Sequence, residues 1–301
     1  MNPMKVIDRV YKEERAKALP PVNSKTFRIS SIGWQPRKLM MAKAQEGYEA
    51  KAIEGRGVRT FEVGKQRHDA LRKALVLGGF SGDIPMTEAG EKEIRLPLGG
   101  GWEIVGHPDG ILNEIEVKGT KYEMVLLEIK TVGAAGWRSV KANEIDEGYI
   151  AQASMYCHIL NLKWIYFLFE KKDSQHLAEV IVPMSEQAVN QSLHDIGFTI
   201  GSIEAGKTPM QVEACSGPDY GYQMRTRKRG EMPRLSLGWR CSYCQYVQHC
   251  FPTHVRMLEG GKQVCVEELA VPDDAVVISH GVDVIPRGGW KMLDGAEEMD
   301  V

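Results

Sequence analysis

The chain has 301 residues, 43% of them hydrophobic, enough to bury a real core in one large domain or two ordinary ones. A formal net charge of -2 excludes a globally basic nucleic-acid binder but leaves room for a local basic groove. No apolar run approaches the roughly 18 residues of a membrane span, and the charged opening "MNPMKVIDRVYKEERAKALP" lacks the apolar region of a secretory signal, so the cytoplasm is the expected location.

In chain order, residues 1–20 predict a charged helix. Ser30 or Ser31 is placed to cap a second helix carrying Arg37, Lys38 and Lys43. Over 60–78, Leu71, Ala74 and Leu75 recur at helical spacing, with His68 one turn earlier. The period then changes: over 92–131, aliphatic and β-branched segments broken by Gly and Asn predict a meander of strands forming one sheet. "DEGYIAQASMYCHILNL" reads as a helix, and "KWIYFLFEKKD" and "HLAEVIVPM" as two more strands. A helix follows, with Val189, Leu193, Ile196, Ile200 and Ile203 in steps of four, three, four and three. This order implies an α/β fold with a central mixed β-sheet flanked by helices.

That last helix decides a motif. "GSIEAGKT", residues 201–208, matches the phosphate-loop pattern letter for letter, but a working loop needs a strand before it and a helix after it. Here the helix runs through the motif, Gly206 reads as its C-cap and Pro209 blocks continuation. No nucleotide cofactor is expected.

"GHPDGILNEIEVKGTKYEMVLLEIKT", residues 106–131, carries the candidate chemistry. Asp109 lies in a turn between strand-like segments, and Glu128 and Lys130, two apart on a strand, project from one face. Ile129 faces the other way, with its backbone carbonyl near the same edge. Two carboxylates and a carbonyl are hard oxygen ligands suited to Mg or Mn, and a lysine beside them can orient a water and offset charge on phosphorus. The plainer alternative is an exposed Glu-x-Lys ion pair at a strand end.

With its neighbours, this stretch resembles the PD-(D/E)XK nuclease superfamily, in its RecB-like branch of phage and CRISPR-adaptation exonucleases. Four blocks spanning residues 60–160 carry the resemblance: "VGKQRHDAL", "GHPDGIL", "LLEIKT" and "YIAQASMY". It implies a restriction-endonuclease-like core and a metal held by His68, Asp109, Glu128 and the Ile129 carbonyl. Lys130 would be catalytic, and Gln152 and Tyr156, four apart on one helical face, would place the substrate.

Cys241, Cys244 and Cys250 stand in C-x2-C-x5-C spacing, a metal-binding pattern in a chain with no secretion signal. The spacing resembles the C-terminal cysteine set of the iron–sulfur members of that branch, which implies a [4Fe–4S] cluster. The family's fourth, N-terminal cysteine has no counterpart in "SSIGWQPRKL", and Cys215 is the best replacement. His249 and His254 would favour zinc instead. Cys157 is expected in the core, and Cys265 stands alone.

Arg225, Arg227, Lys228, Arg229, Arg234 and Arg240, interleaved with aromatic residues, form a local basic segment suited to phosphates and stacked bases, with Arg37 and Lys38 as a second patch. From residue 261 onward nine acidic side chains face Lys262, Arg287 and Lys291, a tail unsuited to DNA backbone. The expected organisation is a helical segment 1–58, a nuclease core 59–205, a basic and cysteine-rich metal-binding segment 206–258 and an acidic tail 259–301. The expected activity is a divalent-metal-dependent deoxyribonuclease that trims DNA ends, or works beside a helicase or a strand-annealing protein. Two other classes stand against it: a non-catalytic nucleic-acid-binding scaffold keeping the nuclease fold, and a regulator centred on zinc at the cysteines.

Overall fold

The computed structural model describes residues 25–32, 55–85 and 90–206, six positions of a helical stretch between residues 6 and 13, and seven short strands between residues 222 and 292. The chain divides into two compact units, Met1–Pro36 with Gly55–Phe198 and Arg37–Glu54 with Thr199–Val301.

The first unit holds two sheets. Its elements are β1 (Thr26–Arg28), a 3-10 turn (Ile29–Ser31), α1 (Gly55–Leu77), β2 (Gly82–Asp83), β3 (Ile94–Gly99), β4 (Trp102–Gly106), β5 (Gly110–Val117), β6 (Thr120–Val132), α2 (Ala134–Lys141), α3 (Glu147–Leu160), β7 (Trp164–Lys171), β8 (Leu177–Pro183) and the start of α4 (Glu186–Glu204). The larger sheet runs β2-β5-β6-β7-β8, with β6 and β7 parallel and the other pairs antiparallel. The smaller runs β1-β4-β3, parallel between β1 and β4 and antiparallel between β4 and β3. Both sheets are mixed, as expected. The expectation of one sheet over 92–131 is corrected: the chain leaves the small sheet at Gly106 and enters the large one at Gly110, because residues 107–109 form a loop instead of a tight hairpin.

The core follows from strand alternation. On β6, Val125, Leu127 and Ile129 face one side and, with Leu112 and Leu168, form a buried cluster onto which Leu71 and Leu75 of α1 pack. The other face carries Leu126 and Glu128, which register with Ile165 and Phe167 of β7. There α3 covers the sheet, with Tyr149 against Phe169 at 6.4 Å between ring centres. Buried on both faces, β6 shows an unbroken apolar run where a one-sided strand would alternate. Cys157 is buried in α3, as expected, with Sγ 3.6 Å from the Trp164 carbonyl.

Residues 201–204 lie inside α4, and Gly206, at φ +68°, donates its N–H to the Ile203 carbonyl at 2.9 Å, a helix end in the left-handed region glycine favours. The phosphate-loop lookalike is thus helical through its first four residues. Ser30 and Ser31 sit in the 3-10 turn, and the helix expected after them lies outside the described residues. Among the described residues no helix is long and apolar enough to cross a membrane.

In the second unit, β9 (Tyr222–Arg225), β10 (Arg234–Leu237), β11 (Arg256–Met257), β12 (Val264–Cys265), β13 (Ala275–Ile278), β14 (Val282–Pro286) and β15 (Lys291–Met292) form a sheet of order β11-β12-β10-β9-β14-β13-β15. Cys215, Cys241, Cys244, Cys250, His249 and His254, the Arg37–Lys38 patch and the side chains of the basic segment and acidic tail lie outside the described residues.

Candidate functional site

Three elements and a loop of the first unit converge on a cleft of about 270 Å³ lined by His68 and Arg72 of α1, Asp109 from the β4–β5 loop, Glu128 and Lys130 of β6, and Gln152 and Tyr156 of α3. Every side chain nominated from the sequence for the nuclease centre lines this one cavity. Ile129, nominated for its backbone carbonyl, is not among the lining residues.

Strand pairing explains how. The last residue pair between β5 and β6 is Gly110 with Leu127, so β6 continues past its neighbour from Glu128 onward. Asp109 fills the gap with its side chain, its Oδ2 accepting the Ile129 N–H at 2.7 Å. A strand residue directs its N–H and C=O to the same side, so the Ile129 carbonyl faces the edge that Asp109 occupies. The Ile129 side chain is fully buried in the core cluster, which fixes the register of Glu128 and Lys130 on the opposite face.

The inner stripe of α1 supplies the other wall. Gly64, Arg67, His68, Leu71, Arg72 and Leu75 recur at three and four residues, and half of them are charged or polar. His68 Nδ1 lies 3.1 Å from Asp109 Oδ1, and since an ionised carboxylate only accepts, the ring nitrogen donates. Arg72, 1% exposed, holds Asp69 at 2.6 Å, Asp109 at 3.3 Å and Glu91. Its Nε is the one buried side-chain nitrogen or oxygen among the described residues without a hydrogen-bond partner.

Lys130 is held from three directions. Its ammonium donates to Glu128 Oε1 at 2.5 Å and to Gln152 Oε1 at 3.0 Å, and stands 4.9 Å from the centre of the Tyr149 ring. Tyr156 donates its hydroxyl to the His107 carbonyl at 3.0 Å, pinning the loop that carries Asp109. Gly106 makes that approach possible: a Cβ there would lie 2.7 Å from Tyr156 Cε1 and 2.9 Å from Ile29 Cδ1.

The buried charges push one another apart. Burial raises the pKa of Glu128, and the charge of Asp109 adds to this against the opposing pull of Lys130. Burial also acts on Asp109, but the hydrogen bond and charge of His68, the Ile129 amide and Lys130 together hold its carboxyl below the ordinary value. Lys130 is disfavoured by burial, yet the charge and hydrogen bond of Glu128 and the charge of Asp109 raise its pKa, so it is an ammonium at neutral pH. Burial pushes Tyr156 well above the usual tyrosine value.

Among the described residues no group of three or more His, Cys, Asp or Glu is arranged around one point as a ready metal cage. Sequence reasoning missed Arg72, Glu91 and Tyr149. Tyr149 was within reach, since it lies three residues before Gln152 on the same helix face. Arg72 stands four after His68, but nothing in the sequence signals its ion pair with Glu91, 19 residues further on.

Fold and cleft together define an α/β protein with a buried carboxylate–lysine centre at a strand edge. No family model and no curated protein matches the chain. Among solved structures it is similar to SSO0001, at 15% identity and a TM-score of 0.42 over 82% of this chain and 95% of that one. It is also similar to LHK-Exo in complex with dAMP, at 14% identity and a TM-score of 0.43 over 61% and 89% of the two chains. A third similar structure is the alkaline exonuclease LHK-Exo from Laribacter hongkongensis, at 13% identity and a TM-score of 0.39 over 66% and 93%. The chemistry of the site rests on its own residues.

Proposed function

We propose that the protein is a divalent-metal-dependent deoxyribonuclease, an exonuclease hydrolysing phosphodiester bonds at DNA ends. The observation that carries this reading is the gathering of His68, Asp109, Glu128, Lys130, Gln152 and Tyr156 in one cleft, with Lys130 clamped between Glu128 and Gln152.

The donor chemistry fits Mg or Mn. Asp109, Glu128 and the Ile129 carbonyl would offer hard oxygens and His68 a ring nitrogen. A cation there would also offset the burial that raises Glu128. When bound, such an ion polarises a phosphoryl oxygen and makes a nearby water more acidic. The remaining work belongs to the chain. Lys130, an ammonium, acts as a donor that orients the attacking water and offsets charge growing on the phosphate, a role distinct from a general base. Gln152 and Glu128 fix its direction, Tyr156 steadies the Asp109 loop, and the unpartnered Arg72 Nε suits an anionic oxygen. In this reading Cys215, Cys241, Cys244 and Cys250 bind a [4Fe–4S] cluster or zinc, and a helicase or annealing protein presents the DNA end.

One observation favours the scaffold alternative. Asp109 and Glu128 already meet His68, Arg72, the Ile129 amide and Lys130, so the cleft neutralises itself without a ligand. Release of nucleotides from linear duplex DNA separates the two readings. The nuclease reading predicts release with Mg or Mn, its abolition by a chelator, and a loss in Asp109→Asn of at least about a hundredfold, as for removing a group that stabilises developing charge. A scaffold would bind DNA and release nothing under any of these conditions.

A further inference from the structure

The strand that carries Lys130 leads straight into α2. β6 ends at Val132, whose carbonyl accepts the Lys172 N–H at 2.9 Å, and Gly133 opens the helix with no side chain to cap it. No acidic residue stands in the first turn, so no side chain of the helix offsets the positive end of its dipole. One face of α2 packs inward: Val140 is buried, and a Cβ at Gly136 would stand 3.3 Å from Val132 Cβ. Arg138 and Lys141, three apart and exposed, share the opposite face with the exposed Ala134 and Ala135.

The charges of that outward face are not cancelled. Among the described residues Arg138 makes no hydrogen bond or ion pair, and the ammonium of Lys141 stands 5.3 Å from the centre of the Trp137 ring, a contact that holds it without neutralising it. Asp146, close by in the chain, instead accepts the Gly148 N–H at 2.8 Å at the head of α3. Chain geometry ties this face to the cleft. Lys130 lines the cleft, Gly133 lies three extended residues beyond it and Arg138 five helical residues further. At about 3.3 Å per strand residue and 1.5 Å per helical residue, the Arg138 backbone is within about 18 Å of Lys130. That distance spans about five nucleotides or fewer at the duplex spacing of about 3.4 Å.

We propose that the outward face of α2 binds the backbone of the DNA strand whose reacting phosphate occupies the cleft, with Arg138 and Lys141 each taking a phosphate. This rests on the nuclease reading and deepens it. Guanidinium and ammonium groups hold phosphate oxygens without reading bases, so the face positions the strand whatever its sequence.

The test is the salt dependence of binding of a fluorescently labelled single-stranded DNA oligonucleotide to the full chain, in chelator to prevent cleavage. It compares wild type, Arg138→Gln, the double variant Arg138→Gln/Lys141→Gln, and Lys163→Gln. The last removes an exposed charge from the opposite end of the sheet, since Phe169 of β7 registers with Lys130 and Lys163 precedes Phe169 by six residues, about 20 Å of strand. Arg138→Gln is expected to weaken binding several-fold on every sequence and to reduce the slope of log affinity against log salt by about 0.7, the increment for one single-strand phosphate contact. The double variant reduces it further, and Lys163→Gln leaves affinity and slope unchanged. Wild-type affinity and slope in both α2 variants, or an equal loss in Lys163→Gln, overturns the proposal. The nuclease reading then stands if the wild type cuts DNA with metal. A wild type that binds no oligonucleotide at all overturns the proposal and, if it also fails to cut, the nuclease reading with it.

Discussion

The ammonium of Lys130 has no freedom to wander, because Glu128, Gln152 and the face of Tyr149 enclose it. A desolvated cation–π contact is worth up to about 2 kcal/mol, and about 1.4 kcal/mol is tenfold in rate. Tyr149→Leu should therefore lower kcat by about tenfold, whereas Tyr149→Phe, which keeps the ring, should stay near wild type. Steady-state kinetics on linear DNA checks both, and an equal loss in the two variants would assign the effect to the hydroxyl. The two carboxylates make a second prediction, one of sign. Asp109 is held below the ordinary carboxyl value and Glu128 above it, so acidification protonates Glu128 first while Asp109 stays ionised. A protonated carboxyl is a poor ligand. Affinity for Mn should thus fall as pH drops through the raised Glu128 value, at a higher pH than an ordinary glutamate would dictate. Glu128→Gln should bind Mn more weakly and with that pH dependence removed, as calorimetric titration across pH can read.

Elements hold the site by meeting where sequence distance is large. The small sheet, α3 and the 3-10 turn close on one another at Gly106, and Gly106→Ala forces its new methyl into Tyr156 and Ile29. Overpacking of this kind costs about 1–3 kcal/mol. Since Tyr156 is also the anchor of the His107 carbonyl, the variant should lose thermal stability and activity together. Unchanged melting with unchanged activity would contradict the packing described here. The elements themselves were readable from pattern: α1 from Leu71, Ala74 and Leu75, the β6 strand from its apolar run, and α4 from its five regularly spaced aliphatic residues. The short helix α2 was missed, since "AAGWRSVK" offers too few turns for a period to emerge. The division into two sheets was missed because a strand's composition does not name its partner.

Over the whole molecule, the residues of the candidate site were legible to a greater extent than the bonds among them. His68, Asp109, Glu128, Lys130, Gln152 and Tyr156 stood out by type and order, and all of them line one cleft. Their partners did not stand out: the contacts of Arg72 with Glu91 and Asp109 and of Arg67 with Glu170 join residues 19, 37 and 103 apart, and periodicity carries no information at that range. Such contacts are decided by how α1 lies across the larger sheet, which is set by Leu71 and Leu75 seating on the core. The same seating turns the charged half of the α1 stripe toward the strand edge where Asp109 and Glu128 wait.

The most direct measurement is cleavage of end-labelled linear and closed circular DNA with Mg or Mn, by the wild type and by Lys130→Ala. Degradation of linear DNA alone, lost in the variant, is the expected result. Lys130→Ala cutting at the wild-type rate, or no cleavage by the wild type with either metal, would contradict it.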